Sequence, residues 1–179
     1  MKMIVWITTL FSACGALAST NAAPLAAGSP APAFAAVGSN GQTNRLADFR
    51  GKWVVLYFYP KAFTPGCTAE SCSLRDGYAD IQALGAVILG VSLDSVEKIK
   101  KFKDEYHLPF ELLSDADKAI SRAYESLALG GLFAKRRTFI IDPEGKIAYL
   151  FENVNVKQHD AEVKAELQKI QAQRAQTKP

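Results

Sequence analysis

Two cysteines stand close together in a segment whose residue types can support nucleophilic or redox chemistry. Cys67 and Cys72 are five positions apart and follow a run of apolar residues. The thiolate is the reactive form of cysteine, and unpaired N–H groups and the positive end of a helix dipole favour it. If Cys67 lies in the first turn of a helix, the sequence predicts a nucleophile there. The alternative is an inert, small apolar residue of the core.

The neighbouring elements are expected to place Cys67 at such a helix start. Trp53 to Tyr59 are seven apolar residues, rich in aromatic and β-branched types, and this short run predicts a strand buried on both faces. The strand ends at Pro60. Pro65 then marks the start of a helix predicted to reach about Leu84, since proline is favoured in the first helical turn. Cys67 therefore falls in that turn.

Two residues ahead of Cys67 are candidates to act on its sulfur. The hydroxyl of Thr64, three positions earlier, can hydrogen-bond to a thiolate or to a bound oxygen. Pro60 restricts the backbone where the loop begins and can shield the sulfur from water. Both residues are therefore predicted to belong to the site.

The rest of the chain alternates predicted strands and helices. In chain order these are a hairpin turning at Asn40-Gly41, a buried strand over Ala86–Leu93, a helix capped by Asp94 or Ser95, a strand over Phe110–Leu113, a helix over Asp117–Tyr124, a hairpin pairing Thr138–Ile141 with Ile147–Phe151, and a closing helix over His159–Gln173. This order is typical of an α/β domain with a mixed sheet.

The cysteine segment resembles the active site of a known family. The pattern Pro-x-x-x-Thr-x-x-Cys, formed by Pro60, Thr64 and Cys67, is similar to the motif of the peroxiredoxins. The longer string Thr-Pro-Gly-Cys-Thr-x-Glu-x-x-Cys, ending at Cys72, resembles the Q-type class, also called bacterioferritin comigratory proteins. The likeness runs from about Ser29 to the final helix. It implies a thioredoxin-like fold, that is, an α/β domain with a central mixed sheet flanked by helices.

The resemblance implies a thiol-dependent peroxidase that reduces hydrogen peroxide and organic hydroperoxides to water or alcohols. Cys67 would attack the peroxide and become a sulfenic acid, which would condense with Cys72 to an intramolecular disulfide. A dithiol reductant, a thioredoxin-like protein, would then restore the two thiols by exchange. The resemblance implies no cofactor and no metal ion, and it favours a monomer.

The family also places an arginine three residues before the aromatic residue of a Thr-Phe strand. Counting back from Phe139 gives Arg136, whereas the adjacent Arg137 occupies a position that the resemblance leaves variable. Arg136 would direct its planar fork at the thiolate and at a peroxide oxygen. Glu70 resembles the acidic residue of the family near the site. It either orients Arg136 or is simply an acid favoured in the first turn of a helix.

Helix geometry sets a condition on the implied disulfide. If Cys67 and Cys72 share a regular helix, their Cα atoms lie about 8–9 Å apart. A disulfide needs a separation of about 7 Å or less. The first turns of the helix are therefore expected to unwind in each catalytic cycle, and oxidation is expected to lower the helix content near Thr68 to Asp76.

The amino terminus has the pattern of a secretory signal. Lys2 provides a positive charge, residues 4–18 are apolar and nearly uncharged, and Ala16-Leu17-Ala18 is a small-residue cleavage pattern. We expect a signal peptide over residues 1–18, a flexible lead-in over 19–28 and the peroxiredoxin domain over 29–179. The protein is thus expected to be exported, to a bacterial periplasm. The alternatives are an uncleaved anchor and acylation of Cys14 at a lipoprotein-like site.

Composition and spacing argue against other classes of protein. The formal net charge of +3 is too weak to predict binding to nucleic acid or to an anionic membrane. We expect no stable membrane contact unless Cys14 is lipidated. A thiol–disulfide oxidoreductase would need Cys-x-x-Cys, whereas this chain has four residues between the cysteines. A metal site is not expected, because the two histidines, His107 and His159, are far in sequence from the cysteines. A binding domain stapled by two cysteines so close together would gain little stability.

Overall fold

The structure, a computed structural model, describes residues 25–177. Its strands are β1 (Ala35–Val37), β2 (Thr43–Arg45), β3 (Trp53–Phe58), β4 (Ala86–Ser92), β5 (Glu111–Ser114), β6 (Leu127–Ala128), β7 (Phe133–Ala134), β8 (Arg137–Ile141) and β9 (Ile147–Phe151). Its α-helices are α1 (Pro65–Asp76), α2 (Tyr78–Ala83), α3 (Val96–Glu105), α4 (Ala119–Ala123) and α5 (His159–Thr177). Short 3₁₀ turns cover Leu46–Phe49 and Leu129–Gly131.

A five-stranded mixed sheet in the order β5-β4-β3-β8-β9 forms the centre of the domain. Strand β3 runs parallel to β4 and antiparallel to β8. All six residues of β3 are buried, because the sheet is covered on both faces. The predicted α/β architecture with a central mixed sheet and flanking helices is therefore confirmed.

Two apolar clusters cover the two faces of the sheet. On one face, α1, α2, α3 and α5 contribute buried side chains that include Leu74, Ile81, Phe102 and Leu167. On the other face, the cluster includes Ile120 and Tyr124 from α4 and its end. Because α1 and α5 share a face of the sheet, the helix that carries both cysteines lies against the closing helix.

The strand register brings two distant segments of the chain to one edge of the sheet. Phe58, the last residue of β3, pairs with Arg137, the first residue of β8. The loop that leaves β3 and the residues that lead into β8 therefore meet at this edge, because antiparallel neighbours place the end of one strand beside the start of the other. Cys67 follows the first of these segments, and Arg136 belongs to the second.

The structure differs from the expected elements at three places. The helix expected from Pro65 to about Leu84 breaks at Gly77, where α1 ends and α2 begins. A two-stranded hairpin, β6 with β7, was not expected, since each strand has only two residues. The closing helix continues to Thr177 instead of ending at about Gln173.

The described part of the expected lead-in lies against the domain. The Gly28 N–H donates to the Ile147 carbonyl oxygen at 2.8 Å, and a turn joins Ala26 to Ser29. The expected signal peptide, residues 1–18, lies outside the described residues. Within residues 25–177, no helix combines the length and the apolar composition that crossing a membrane requires.

Candidate active site

Cys67 lies in the first turn of α1, as the sequence predicts. Thr64 precedes the helix in an extended conformation, and Pro65 is the first helical residue. The first helical hydrogen bond runs from the Thr68 N–H to the Thr64 carbonyl oxygen at 2.9 Å. The N–H groups of Gly66 and Cys67 consequently have no acceptor inside the helix. The Cys67 side chain is completely buried in the core cluster that includes Tyr57 and Tyr59, and its position in the first turn places it at the positive end of the helix.

Arg136 connects the sulfur to a buried carboxylate. Its Nη2 donates to the Cys67 Sγ at 3.3 Å, while its Nη1 forms an ion pair with the Glu70 carboxylate. The planar guanidinium can bind both partners at once, which a lysine ammonium could not do with the same geometry. Of the two adjacent arginines, Arg136 is therefore the one that the fold directs at the sulfur.

Glu70 is an acid held in an apolar environment, and its side chain is 0% exposed. Burial raises the pKa of Glu70 from 4.5 to about 7, although the charge of Arg136 and its hydrogen bond act in the opposite direction. Its second oxygen, Oε1, is buried without a hydrogen-bond partner among residues 25–177. Burial also disfavours the charge of Arg136, but Glu70 and Cys67 together raise the pKa of the guanidinium. Of the two alternatives for Glu70, the structure shows contact with Arg136.

Arg137, next in the chain, points elsewhere. Its Nη1 donates to the Glu125 carbonyl oxygen at 3.1 Å, and its Nη2 donates to the Glu152 carboxylate at 2.8 Å. Glu152 is more than half exposed, so this ion pair lies at the surface. Arg137 thus offers a natural comparison for Arg136, since both are arginines at the edge of β8 and only Arg136 contacts the sulfur.

The two residues expected ahead of Cys67 are arranged differently from each other. Pro60 follows the end of β3 and, together with Arg136, lines a groove at the surface. The Thr64 hydroxyl donates to the Lys61 carbonyl oxygen at 2.9 Å. Its proton is therefore directed into the loop. Among the described residues, Thr64 forms no hydrogen bond to Cys67, although the spacing suggests one. The Thr64 oxygen keeps its capacity to accept.

Asp94 holds the loop before Cys67 in place. Its Oδ2 accepts from the Ala62 N–H at 2.8 Å, and its Oδ1 pairs with Lys98 at 2.5 Å. The sequence suggested Asp94 or Ser95 as a helix cap, and Ser95 is the residue that accepts from the Lys98 N–H. No signal in the sequence connects Asp94 with the active-site loop, because the contact joins residues 32 positions apart.

Cys72 lies in the same uninterrupted helix as Cys67. Both thiols are free, Cys67 fully buried and Cys72 partly buried. In a regular helix their Cα atoms are about 8–9 Å apart. The structure therefore represents the dithiol form, and a bond between the two sulfurs requires the helix to change.

Comparison with known proteins agrees with this geometry. The profile of the AhpC/TSA family matches residues 27–150. The chain belongs to this family. It is 45% identical over 141 residues to peroxiredoxin Bcp of Bacillus subtilis (strain 168), which covers 75% of this chain and 90% of the relative. It is 38% identical over 142 residues to peroxiredoxin Bcp of Escherichia coli (strain K12), which covers 76% of this chain and 91% of the relative.

Solved structures of similar proteins have the same fold. Peroxidoxin BcpB from Mycobacterium tuberculosis superposes with a TM-score of 0.74 at 31% identity, covering 80% of this chain and 97% of that chain. Peroxiredoxin Q from Xanthomonas campestris superposes with a TM-score of 0.72 at 35% identity, covering 76% and 90%. The chain is thus a peroxiredoxin of the Bcp, or Q, type, and its activity is that of a thiol-dependent peroxidase.

The site of this peroxiredoxin brings charged and polar groups of the protein to the Cys67 sulfur. Among residues 25–177, no cluster of three or more His, Cys, Asp or Glu side chains is arranged to hold a metal ion. The groups present at Cys67 are a guanidinium, helix N–H groups and a buried carboxylate, all of which act on charge. This arrangement suits a reaction in which negative charge moves from sulfur to oxygen.

Proposed function

We propose that this peroxiredoxin reduces hydrogen peroxide and organic hydroperoxides through a sulfenic acid on Cys67 and an intramolecular Cys67–Cys72 disulfide. One observation carries the proposal. The Arg136 Nη2 donates to the Cys67 Sγ at 3.3 Å, and Cys67 lies in the first turn of a helix. A guanidinium and unpaired N–H groups around one buried sulfur stabilise a thiolate and, equally, a leaving oxyanion.

The chemistry runs in two steps that balance. In the first, the Cys67 thiolate attacks the terminal oxygen of ROOH, the O–O bond breaks, and the RO⁻ that leaves takes up a proton to become ROH. Arg136 and the Cys67 N–H stabilise the charge as it moves along the O–O bond. In the second, the Cys72 sulfur attacks the sulfenic sulfur, an S–S bond forms, and water leaves. A dithiol reductant then returns two electrons by exchange.

The second step requires part of α1 to unwind, since the helix keeps the two cysteines too far apart. Arg136 contacts the first of them and not the second. The groups that stabilise charge in the first step are therefore already in contact with Cys67, whereas the second step needs a rearrangement of α1.

A groove beside Arg136 supports organic hydroperoxides as substrates. It has a volume of about 500 Å³ and is lined by Pro60, Arg136 and several apolar residues, among them Leu129 and Phe133. Leu129 is 74% exposed, so its side chain is available to contact an apolar group that enters the groove. An alkyl group on the peroxide would lie along this surface while its O–O bond meets Cys67.

Two exposed leucines give a matched test of the groove. Leu129→Ser should raise the KM for cumene hydroperoxide about tenfold, the effect typical of one lost apolar contact, and leave hydrogen peroxide kinetics unchanged. Leu132→Ser is the control, because Leu132 is 69% exposed on the same turn but does not line the groove. Equal effects of both variants, or an equal effect on both peroxides, would contradict this use of the groove.

The proposed roles of the cysteines have a direct test in the form that lacks residues 1–18. Cys67→Ser should abolish peroxide consumption, since it removes the nucleophile. Cys72→Ser should consume one equivalent of peroxide and then stop unless an external thiol is present. The free sulfenic acid should react with dimedone in Cys72→Ser and not in Cys67→Ser. Absence of a Cys67–Cys72 disulfide in the parent chain after one equivalent of peroxide would contradict the proposed mechanism.

The setting of the reaction is also a proposal. Export of the mature chain is supported by the apolar, cleavable amino terminus, and a thioredoxin-like dithiol protein fits the need for a two-electron thiol donor. A monomer suffices, because both cysteines belong to one helix of one chain. Cell fractionation tests the location, and trapping a mixed disulfide on Cys67 in Cys72→Ser identifies the reductant. Sedimentation at micromolar concentration tests the monomer.

A further inference from the structure

The two residues that flank Cys72 are serines, and each is fastened to a different part of the domain. The Ser71 hydroxyl lies 3.1 Å from the hydroxyl of Tyr57 in β3. The Ser73 hydroxyl donates to the Asp160 carboxylate in α5 at 2.6 Å. Both serines are buried, whereas Cys72 between them is partly exposed. The backbone on either side of Cys72 is therefore held by side-chain hydrogen bonds that α1 does not itself require.

The bond between Ser73 and Asp160 is reciprocal. The Asp160 N–H, in the first turn of α5, donates to the Ser73 Oγ at 3.1 Å. N–H groups at a helix start lack intrahelical acceptors, so Ser73 satisfies one for a helix 87 positions away in sequence. The two helices also approach closely, because a Cβ on Gly77 would lie 2.5 Å from the Asp160 Cβ. Unwinding α1 at residue 73 must break both hydrogen bonds.

We propose that Ser71 and Ser73 act as positioning residues, a latch that keeps Cys72 away from Cys67 and sets the rate at which the disulfide closes. The proposal rests on the Cys67–Cys72 disulfide proposed above. Cys72 cannot reach Cys67 while both serines stay bonded, since the intact helix holds the Cα atoms about 8–9 Å apart. The latch does not contact the Cys67 sulfur, so it leaves the attack on peroxide unaffected.

The latch has a chemical consequence for the enzyme. While it is closed, the sulfenic acid on Cys67 persists and can react with a second peroxide. That reaction adds an oxygen to the sulfur, giving a sulfinic acid, and releases a second ROH. A tighter latch thus makes the enzyme more sensitive to inactivation by excess peroxide, and a looser latch protects it.

The experiment separates disulfide closure from peroxide attack in single turnovers. Ser73→Ala should close the Cys67–Cys72 disulfide about tenfold faster than the parent chain, with the rate constant for hydrogen peroxide unchanged. Tenfold corresponds to ~1.4 kcal/mol. Loss of a hydrogen bond to a charged group favours unwinding, and the higher helix propensity of alanine opposes it; the difference between the two effects is of this size. Sulfinic acid, measured as added mass on Cys67 over many cycles, should fall by a similar factor.

A matched control is available elsewhere in the fold. Ser39 is buried and its hydroxyl donates to the Glu111 carboxylate at 2.9 Å, the same kind of bond, but it lies outside α1. Ser39→Ala should lower the overall stability without changing the rate of disulfide closure. If Ser39→Ala accelerates closure as much as Ser73→Ala, the effect is general loosening and the latch is refuted.

Two further variants complete the test. Asp160→Ala removes the carboxylate without altering α1 and should also accelerate closure, although the backbone N–H at position 160 can still donate to the Ser73 Oγ. Ser71→Ala should act independently, so that the double variant shows the product of the two factors. Closure at the parental rate in all of these variants would overturn the latch. Failure of the parent chain itself to form the disulfide would instead overturn the proposed function on which it rests.

Discussion

The burial of Glu70 predicts a large and pH-dependent effect of the substitution Glu70→Gln. Glutamine has nearly the same shape but no charge, and its amide oxygen can still accept from Arg136. Burial raises the pKa of Glu70 from 4.5 to about 7 in the folded protein. The folded state thus binds the Glu70 proton more tightly than the unfolded state does. The stabilisation that this proton provides is complete below pH 4.5 and is lost as the pH rises through about 7.

The expected magnitude follows from the pKa. One pKa unit is worth about 1.36 kcal/mol, so a rise from 4.5 to about 7 corresponds to ~3 kcal/mol. Above neutral pH the ionised Glu70 destabilises the folded parent chain by this amount, whereas glutamine cannot ionise and has no such effect. The free energy of unfolding of Glu70→Gln, relative to the parent, should therefore increase by ~3 kcal/mol between about pH 4.5 and about pH 8.5. The ion pair with Arg136 forms only when Glu70 is ionised, and its effect is already included in the pKa of Glu70. Only the difference between glutamine and the protonated acid adds an offset that does not depend on pH.

Urea unfolding of the reduced protein at both pH values measures this difference. Glu152→Gln is the control, because Glu152 is more than half exposed in its ion pair with Arg137 and such pairs contribute little. Glu70→Gln should also lose about tenfold in peroxide reduction at neutral pH, since Arg136 loses a charged partner. A relative stability of Glu70→Gln that is equal at the two pH values would refute the reasoning, because it would mean that Glu70 ionises in the fold as it does in water.

Three other expectations follow from particular contacts. Arg136→Met should lower the second-order rate constant for hydrogen peroxide by about 10²–10³, the loss typical of one donor to a developing oxyanion. Arg137→Met should stay within about threefold of the parent in the same stopped-flow assay, because Arg137 does not contact the sulfur and hydrogen peroxide has no alkyl group to occupy the groove that Arg137 lines. Amide hydrogen exchange over Thr68 to Asp76 should be faster in the disulfide form than in the dithiol form, and equal rates would contradict the unwinding of α1. Gly77→Ala should lower Tm by several degrees although alanine favours helices, because its Cβ would meet Asp160; a raised Tm would show that the two helices are not in close contact.

Local patterns of residues in the sequence predict much of the fold. The apolar run from Trp53 to Phe58 predicts a doubly buried strand because no alternation with polar residues is present, and β3 is the central strand. Pro65 and the residues after it predict the helix start that places Cys67, since proline fits only the first turn. The break falls at Gly77, a residue of low helix propensity, so a local signal for it was present. The close approach of Asp160 to Gly77 is the part that only the tertiary structure shows.

The candidate site also has one part that neighbouring residues predict and another part that depends on tertiary packing. The helix start predicted at Pro65 makes Cys67 the candidate nucleophile from neighbouring residues alone, whereas its pairing with Cys72 is implied by the resemblance to a family. The contact of Arg136 with that sulfur depends on the antiparallel register of β3 with β8, which joins residues 69 positions apart. The sequence offered Arg136 only through its resemblance to a family, and it left the part played by Glu70 undecided.

The sequence by itself predicted Cys67 as the nucleophile and determined the helix that presents it and the strand that precedes it, because short-range sterics and hydrophobic periodicity act along the chain. Only the tertiary structure decided which groups surround the sulfur and what restrains its partner. Arg136, Glu70 and the bond from Ser73 to Asp160 come together through packing, and burial then changes their charge behaviour in ways that no local pattern encodes.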